Sequence, residues 1–486
     1  MPWTPVRGGA GHAARTPAES RDGPDHGPAD RAGSAGAGSP TSPFRGPARE
    51  GYVRRNSDIF VIGGGLAGLL AACRIARAGR TVHLVEAGRT LGGRARATAL
   101  ATTTANVGPH ALYAAGHLAA ALATLGVRVS GGRPAAGAAI WSGSESPLPA
   151  GPATLLRSRL LPGRSKWAFL RAVAALRRAD ARKVTSLTVA AALERLTDDR
   201  HVRTLLAALV RLATYVHAPD LMSAEVAWTQ LQLALRGGVR YVDGGWQALV
   251  DGLATCARAQ GVRVETGRRV ARVTVERGGP RVHLPGGAWR DAAAVVVATG
   301  PRRAARLLAD VLDPATLSPP ASVHAACVDL VLEGPPPAPP HLVLGIDVPH
   351  YLSVHSAYAN LGPPDRHLVS CAAYLPPNAT ADAGRAALAD LETWVAALRP
   401  SWQHRIVAIR RMPHLPVVPL LPRAADGGFA GRPRHDLLAA AGIFLAGDYV
   451  GAHGHLADAA AASAKAAADD VLAILGPSAR AAGGAR

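Results

Sequence analysis

Residues 58–94 decide the fold: Asp58-Ile-Phe-Val-Ile-Gly63-Gly-Gly65-Leu66-Ala67-Gly68, a helix-like stretch, Val82-His-Leu-Val-Glu86-Ala87, and Leu91-Gly92-Gly93-Arg94. A short apolar run leads into a glycine loop, and a second apolar run closes on an acid. Each part answers one demand of an ADP-bearing dinucleotide. Gly63 permits a tight turn after the first strand, Gly65 lets the backbone approach a pyrophosphate, and Gly68 lets the following helix pack closely on the strand. The amides of Leu66 and Ala67 at the helix start, with the helix dipole, suit phosphate charge. Glu86 lies 23 residues after Gly63, where a carboxylate accepts from ribose hydroxyls and disfavours a 2′-phosphate. Glycine is abundant, at 53 of 486 residues, so the glycine spacing alone is weak. The preceding strand, the following helix, the second strand and its terminal acid make it specific.

Working outward, residues 1–55 are rich in Gly, Pro, Ala, Ser and Arg without hydrophobic period and read as a disordered extension; residues 477–486 read as a disordered tail. The helix after the glycine loop runs about Leu66–Arg77, with Gly79 as its cap, and Thr81–Glu86 is a buried parallel strand. Residues 111–235 read as mostly helical. Within them, 165–182 places Trp167, Phe169, Leu170, Val173 and Leu176 beside Arg164, Arg171 and Arg178, which are spaced seven apart. That is an amphipathic helix with a basic stripe, ordinarily a solvated face and otherwise a peripheral contact with a membrane surface. Residues 240–300 are strand-rich, including runs at 262–267, 270–275 and 294–300. Alternating runs at Val323–Leu332 and Tyr351–Tyr358 suggest an antiparallel sheet. A strand ending at Ala446 precedes a long alanine-rich helix, about Leu456–Leu475.

Composition narrows the class. A chain of 486 residues exceeds one typical core, which favours two intertwined domains, and 48% apolar residues are ample for folding. The net charge of +20 raises a nucleic-acid partner, but lysine occurs only at 166, 183 and 465 and arginine is scattered through every segment. With no stacking-aromatic signature, a nucleic-acid role is set aside. The four cysteines lack metal or redox spacing and read as free thiols of a reducing cytoplasm. No apolar stretch reaches the length of a spanning helix. His453-Gly-His455 lacks a third ligand, so no metal is expected.

Several blocks match one family in order: Glu86-Ala87-Gly88-Arg89-Thr-Leu-Gly92-Gly93-Arg94; Asn106-Val-Gly108-Pro109-His110; Tyr241-Val-Asp-Gly244-Gly245-Trp246-Gln-Ala-Leu249; Ala298-Thr299-Gly300; and Gly447-Asp448 followed by Asp458-Ala459 and Ser463. Over about residues 57–475 the chain resembles the flavin-containing amine oxidase / phytoene desaturase-like FAD-dependent oxidoreductases. The resemblance implies an α/β fold of glutathione-reductase-like, amine oxidase type: a Rossmann-type FAD-binding domain (56–110, 236–315 and 430–476) interleaved with an α+β substrate domain (111–235 and 316–429). It implies non-covalent FAD, with Gly92 and Gly93 letting the loop run close to it and Arg94 beside its phosphates. Gly108, Pro109 and His110 would pass near the flavin ring, and Val270, Thr299 and Gly300 would lie beside the dinucleotide. After Gly447, Asp448 would accept from a ribityl hydroxyl, and the helix following His455 and Leu456 would aim its amides at the flavin N1/C2=O edge. Three departures stand out: Asn106 where the family usually has an acid, Ala464 where a glycine often follows the helix serine, and no lysine in a matching strand block. The missing lysine makes amine oxidation less favoured than carbon–carbon or carbon–oxygen redox chemistry.

The implied reaction is hydride transfer from a hydrophobic small molecule onto flavin N5, a dehydrogenation or desaturation, with reoxidation by oxygen, a quinone or another acceptor. The candidate catalytic residues are His110, Tyr215 and Tyr241, with His110 foremost because it directly follows Gly108-Pro109. The alternatives are a redox-neutral, flavin-dependent isomerase and a catalytically silent flavin-binding protein.

Overall fold

The computed structural model describes residues 58–135 and 137–476; the expected disordered segments 1–55 and 477–486 lie outside the described residues. At the centre of one half is a five-stranded, all-parallel sheet in the order Ile443–Leu445, Ala294–Val297, Ile59–Ile62, Val82–Val85, Arg263–Glu265. Its two central strands, Ile59–Ile62 and Ala294–Val297, are buried at every position, as continuous Val/Ile runs covered on both faces require. The glycine-loop helix, Leu66–Arg77, starts at Gly65 and packs against the C-terminal helix Ala457–Leu475 and the helix Trp246–Ala259. Gly79, at φ +78°, follows its end and donates to the Ala76 carbonyl at 2.8 Å. The close packing is permitted by small residues: Ala71, Ala72, Cys73, Ala464, Ala467 and Ala468 are all fully buried.

The second half is built on a seven-stranded sheet in the order Ile406–Val418, Val323–Glu333, Arg366–Tyr374, His350–Val354, Leu342–Gly345, Ala138–Trp141, Ser144–Pro147. Residues 111–235 are mostly helical, as expected, but Ala138–Trp141 and Ser144–Pro147 within them extend this sheet, and Leu342–Gly345 joins Ala138–Trp141 in parallel, against the antiparallel expectation. The sequence hid these strands because Ala138, Ala139 and Ile140 form a run too short to separate from a helical one. The strand expected at Tyr351–Tyr358 ends at Val354 and turns through His355–Ala357. Helices Gly163–Arg178, Val189–Leu196, Arg200–Thr214 and Ala224–Gly237 form a separate apolar cluster that includes Tyr351 and Tyr374 of the sheet. The basic helix ends at Arg178, and only a short turn, Ala181–Val184, follows. Thr188 and Asp199 accept from the Ala191 and Val202 amides, which fixes two of these helix starts.

Candidate active site

A cavity of about 540 Å³ runs from the glycine loop into the space between the two halves, within the range of cofactor sites. Two long helices open onto it without a side-chain cap: Leu66–Arg77 through Gly65, Leu66 and Ala67, and Ala457–Leu475 through Leu456 and Ala457. Uncapped helix starts present free amides and partial positive charge, the chemistry that pyrophosphate and an electron-accepting ring require.

The glycine loop shows why its residues must be small. A Cβ on Gly68 would lie 1.9 Å from the Gly63 carbonyl oxygen, and one on Gly63, at φ +114°, would lie 2.5 Å from that of Ala298. Gly65 is different: its φ is −79° and a Cβ would meet nothing nearer than the Gly92 oxygen, 3.9 Å away. The space in front of Gly65 is therefore left open toward the cavity. Glu86 accepts from the Gly64 amide at 2.7 Å through one carboxylate oxygen and from the Gly88 amide at 2.6 Å through the other. It stiffens the loop while still lining the cavity, and a carboxylate has further lone pairs for a ribose hydroxyl.

Across the cavity Arg94 Nη2 donates to Asp448 Oδ1 at 2.6 Å, joining residues 354 apart in sequence. Gly447, before Asp448, donates its amide to Ser463 Oγ at 2.9 Å. Trp246 is 5% exposed, its indole N–H is buried without a partner, and it lines the cavity. An orphaned buried donor at a ligand cavity calls for an acceptor from the ligand. Together with the open face at Gly65 and the two uncapped helices, these residues fit a bound flavin dinucleotide.

His110 donates from Nδ1 to the Gly108 carbonyl at 2.9 Å, and its ring packs against that of Trp246, centroids 4.7 Å apart and tilted by 57°. A carbonyl only accepts, so Nδ1 carries the proton in that bond, and the Arg94 main-chain carbonyl also faces the ring. Burial, ahead of its other influences, pushes its pKa down to about 4, so the ring is neutral near pH 7. Tyr215 lines the cavity and donates to the Pro109 carbonyl at 3.1 Å. It sits at φ +60°, and Leu456 at φ +55°. Left-handed backbone at two non-glycine residues in the wall of one cavity is strain of the kind found at functional sites. His455 donates from Nε2 to the Thr214 carbonyl at 2.9 Å, and burial pushes its pKa down to about 4. Asp458, in the first turn of the C-terminal helix, accepts from the Leu118 amide at 2.8 Å, and burial raises its pKa to about 6.

Of the residues singled out in the sequence, Gly63, Gly65, Leu66, Ala67, Glu86, Ala87, Gly92, Gly93, Arg94, Gly108, Pro109, His110, Tyr215, Val270, Thr299, Gly300, Gly447, Asp448, His455 and Leu456 all line this one cavity. Gly68 and Tyr241 are not in its wall. Gly68 lies beneath the loop, against Gly63. The Tyr241 hydroxyl is bonded to those of Tyr351 at 3.0 Å and Ser353 at 3.3 Å, and its ring packs on His355 and Tyr358. Asn106, which departs from the family's usual acid, serves the structure instead, for its Oδ1 accepts from the Trp246 amide at 2.7 Å and caps that helix. Sequence reasoning missed the Leu415–Val417 stretch, Tyr113 and the arginines 268, 269 and 303, which also line the cavity. No local pattern marks them, and arginine is too frequent here to be a signal. Away from the cavity, ligand atoms of His435, Asp436 and Asp470 lie within 4.8 Å of one another, with His435 Nε2 3.0 Å from Asp470 and Asp436 paired to Arg434.

The fold is shared with solved structures. An oxidoreductase from Methanosarcina mazei is 18% identical, with 85% of this chain and 100% of that one aligned at a TM-score of 0.67. A putrescine oxidase bound to putrescine is 18% identical (86% and 99% covered, TM-score 0.63), and a cyclohexylamine oxidase from Brevibacterium oxydans is 17% identical (86% and 99% covered, TM-score 0.60). No curated protein sequence matches the chain. The profile of the flavin-containing amine oxidoreductases matches residues 66–472, the span that carries the glycine-loop helix, the cavity and its closing helix. With that match the cofactor-shaped cavity has its family: the chain belongs to the flavin-containing amine oxidoreductases and is an FAD-dependent oxidoreductase.

Proposed function

We propose that the protein dehydrogenates a hydrophobic small molecule, with His110 as the group that takes the substrate proton. Held by the glycine loop, Arg94, Asp448 and the start of the C-terminal helix, FAD would supply a two-electron acceptor for substrate hydride, with oxygen, a quinone or another acceptor to reoxidise it. The observation that carries this reading is the placing of His110: half-buried in the cavity wall, neutral near pH 7, with Nδ1 bonded to the Gly108 carbonyl. A base must be unprotonated and within reach before it can act, and His110 meets the first condition while standing in the cavity wall. Around it, Leu112, Leu118, Leu415 and Trp246 give an apolar wall that supports a hydrophobic substrate and keeps water out. The absence of lysine from the lining residues supports carbon–carbon or carbon–oxygen chemistry over amine oxidation. Tyr215 fixes the turn that holds His110 by bonding Pro109.

Anaerobic mixing of the holoenzyme with terpenoid, lipid and amine panels tests the reading through loss of the oxidised flavin's visible absorbance. The substrate that bleaches wild type should bleach His110→Ala about 10²- to 10⁴-fold more slowly, as expected for losing a general base, with flavin content unchanged. An equal rate removes His110 from the chemistry.

The exterior supports a second reading of location. Leu156 is 76% exposed, Trp167 73% and Leu170 45%, and residues 151–179 hold seven basic side chains and no acidic one. Lys166 Nζ donates to the Leu156 carbonyl at 2.8 Å and ties the helix Gly163–Arg178 to the short helix Pro152–Arg157. We propose that this face lies on an anionic bilayer, apolar tips in the interface and arginines at the headgroups. Among the described residues no helix is long and apolar enough to cross a membrane. The four free thiols support a reducing, cytoplasmic setting.

A further inference from the structure

A second cavity, of about 210 Å³, lies among Val189, the helix Arg200–Thr214, residues 216–222 and Ile346. It is far larger than the roughly 15 Å³ that admits one water. Its wall is apolar except for Thr204, Arg211 and His217. Arg211 is 6% exposed. One of its nitrogens, Nη2, donates to the Gly345 and Val348 carbonyls, and its guanidinium carbon stands 5.9 Å from the centre of the Tyr374 ring. Nε and Nη1 make no hydrogen bond within the described residues, and no carboxylate there comes within 4.0 Å of the side chain.

That leaves a guanidinium in a nearly dry setting, compensated by carbonyl dipoles and one ring face. A buried charge is ordinarily paired, as Arg410 pairs with the fully buried Asp329 elsewhere in this protein. Water in the cavity would satisfy N–H groups but would not neutralise the charge. An anion would do both, and a carboxylate oxygen can take a charge-assisted bond from the N–H groups that Nη2 leaves over. The aliphatic walls from Val189, Ala208, Val216, Met222 and Ile346 then require an apolar body behind the anionic head. The small volume excludes a dinucleotide or a long acyl chain. His217 opens on the same space; burial first and the Arg211 charge second hold its pKa below the usual histidine value, so a neutral ring is available to the second carboxylate oxygen.

We propose that this cavity binds a short aliphatic carboxylate, its head on Arg211 and its chain against Val189, Met222 and Ile346. The site is separate from the flavin cavity and does not rest on the assignment of His110.

Calorimetric titration of the flavin-loaded protein at constant ionic strength, with butyrate, hexanoate, hexan-1-ol and sulfate as probes, tests the proposal. A carboxylate of this series should bind, with the alcohol and sulfate much weaker. Arg211→Met, which keeps the apolar stem, should weaken it about ten- to a hundredfold, the size of a lost charge-assisted bond. Ala207→Leu, which narrows the cavity and leaves Arg211 in place, should abolish binding. Ala207→Leu keeps the test decisive if the arginine variant fails to fold. Equal affinity for hexanoate and hexan-1-ol, a preference for sulfate, or binding unaltered by Ala207→Leu overturns the proposal and reduces Arg211 to a clasp on residues 345–348.

Discussion

The two sides of the cavity, the glycine loop and the aromatic cluster around His110, are built by opposite means. Around Gly63–Gly68 the contacts are main chain: uncapped amides, carbonyls too close for a Cβ, and one carboxylate that holds the loop itself. Around His110 they are side chains brought from distant segments: Trp246 packed at a tilt against His110, Tyr215 bonded to Pro109, and His455 bonded to Thr214. Backbone recognition tolerates no added atom but is indifferent to protonation. Side-chain recognition tolerates substitution and answers to pH.

The largest expected effect lies on the first side. Gly68→Ala forces its methyl onto the Gly63 carbonyl and should destabilise the protein by about 3 kcal/mol, with flavin lost as a consequence. Gly65→Ala should leave thermal unfolding of the flavin-free protein nearly unchanged, since its φ and surroundings accept a methyl, yet weaken flavin binding about tenfold or more. Equilibrium dialysis beside thermal melts separates the two. A Gly65→Ala protein with normal flavin affinity would show that the main chain is not approached as described.

The cluster around His110 and the other buried histidines should dominate acid stability. Burial holds His110, His355 and His455 at about 4, about 3 and about 4, against about 6.5 when unfolded. Each is neutral in the fold and takes up a proton on unfolding, so its stabilisation is present above pH 6.5 and lost as pH falls toward 4. Asp458 acts the other way: raised to about 6, it holds a proton in the fold that the unfolded chain gives up above about pH 4, and so favours the fold as pH falls. Among these four groups, three protons against one contribute a slope of about 2.7 kcal/mol per pH unit between roughly pH 4.5 and 6, and His324 and His350, each held at about 4 by burial, act in the same direction. Melting temperature should therefore fall steeply across that range, and a flat profile would break the contrast between the two sides.

The smallest effect on stability is expected at the basic helix. Trp167→Ala with Leu156→Ala should shift stability by no more than about 0.5 kcal/mol, both side chains being exposed. Co-sedimentation with vesicles rich in phosphatidylserine should nonetheless fall about tenfold. Equal sedimentation of wild type and variant, or no preference over phosphatidylcholine vesicles, removes the bilayer from the account.

Gly63, Gly65, Glu86, Gly92, Arg94, Gly300 and Gly447 were legible from the sequence, because a nucleotide loop is written in consecutive residues and glycine spacing is itself the chemistry. Leu415–Val417, Tyr113 and Arg303 were not, since each reaches the cavity on an element whose local pattern serves its own sheet or helix. Asn106 read as a missing acid until its bond to the Trp246 amide showed it to be a helix cap. Tyr241 stood next to a flavin-facing block in sequence, yet its hydroxyl belongs to Tyr351 and Ser353.

The sequence by itself determined the βαβ unit, the cofactor and the order of the blocks, for these follow from steric rules acting over a few residues. Only the tertiary structure decided that His110 is neutral, that Arg94 meets Asp448, and that Arg211 is buried without a counter-ion. Charge state and partnership depend on desolvation and on distances between residues far apart in the chain, and spacing along it carries neither.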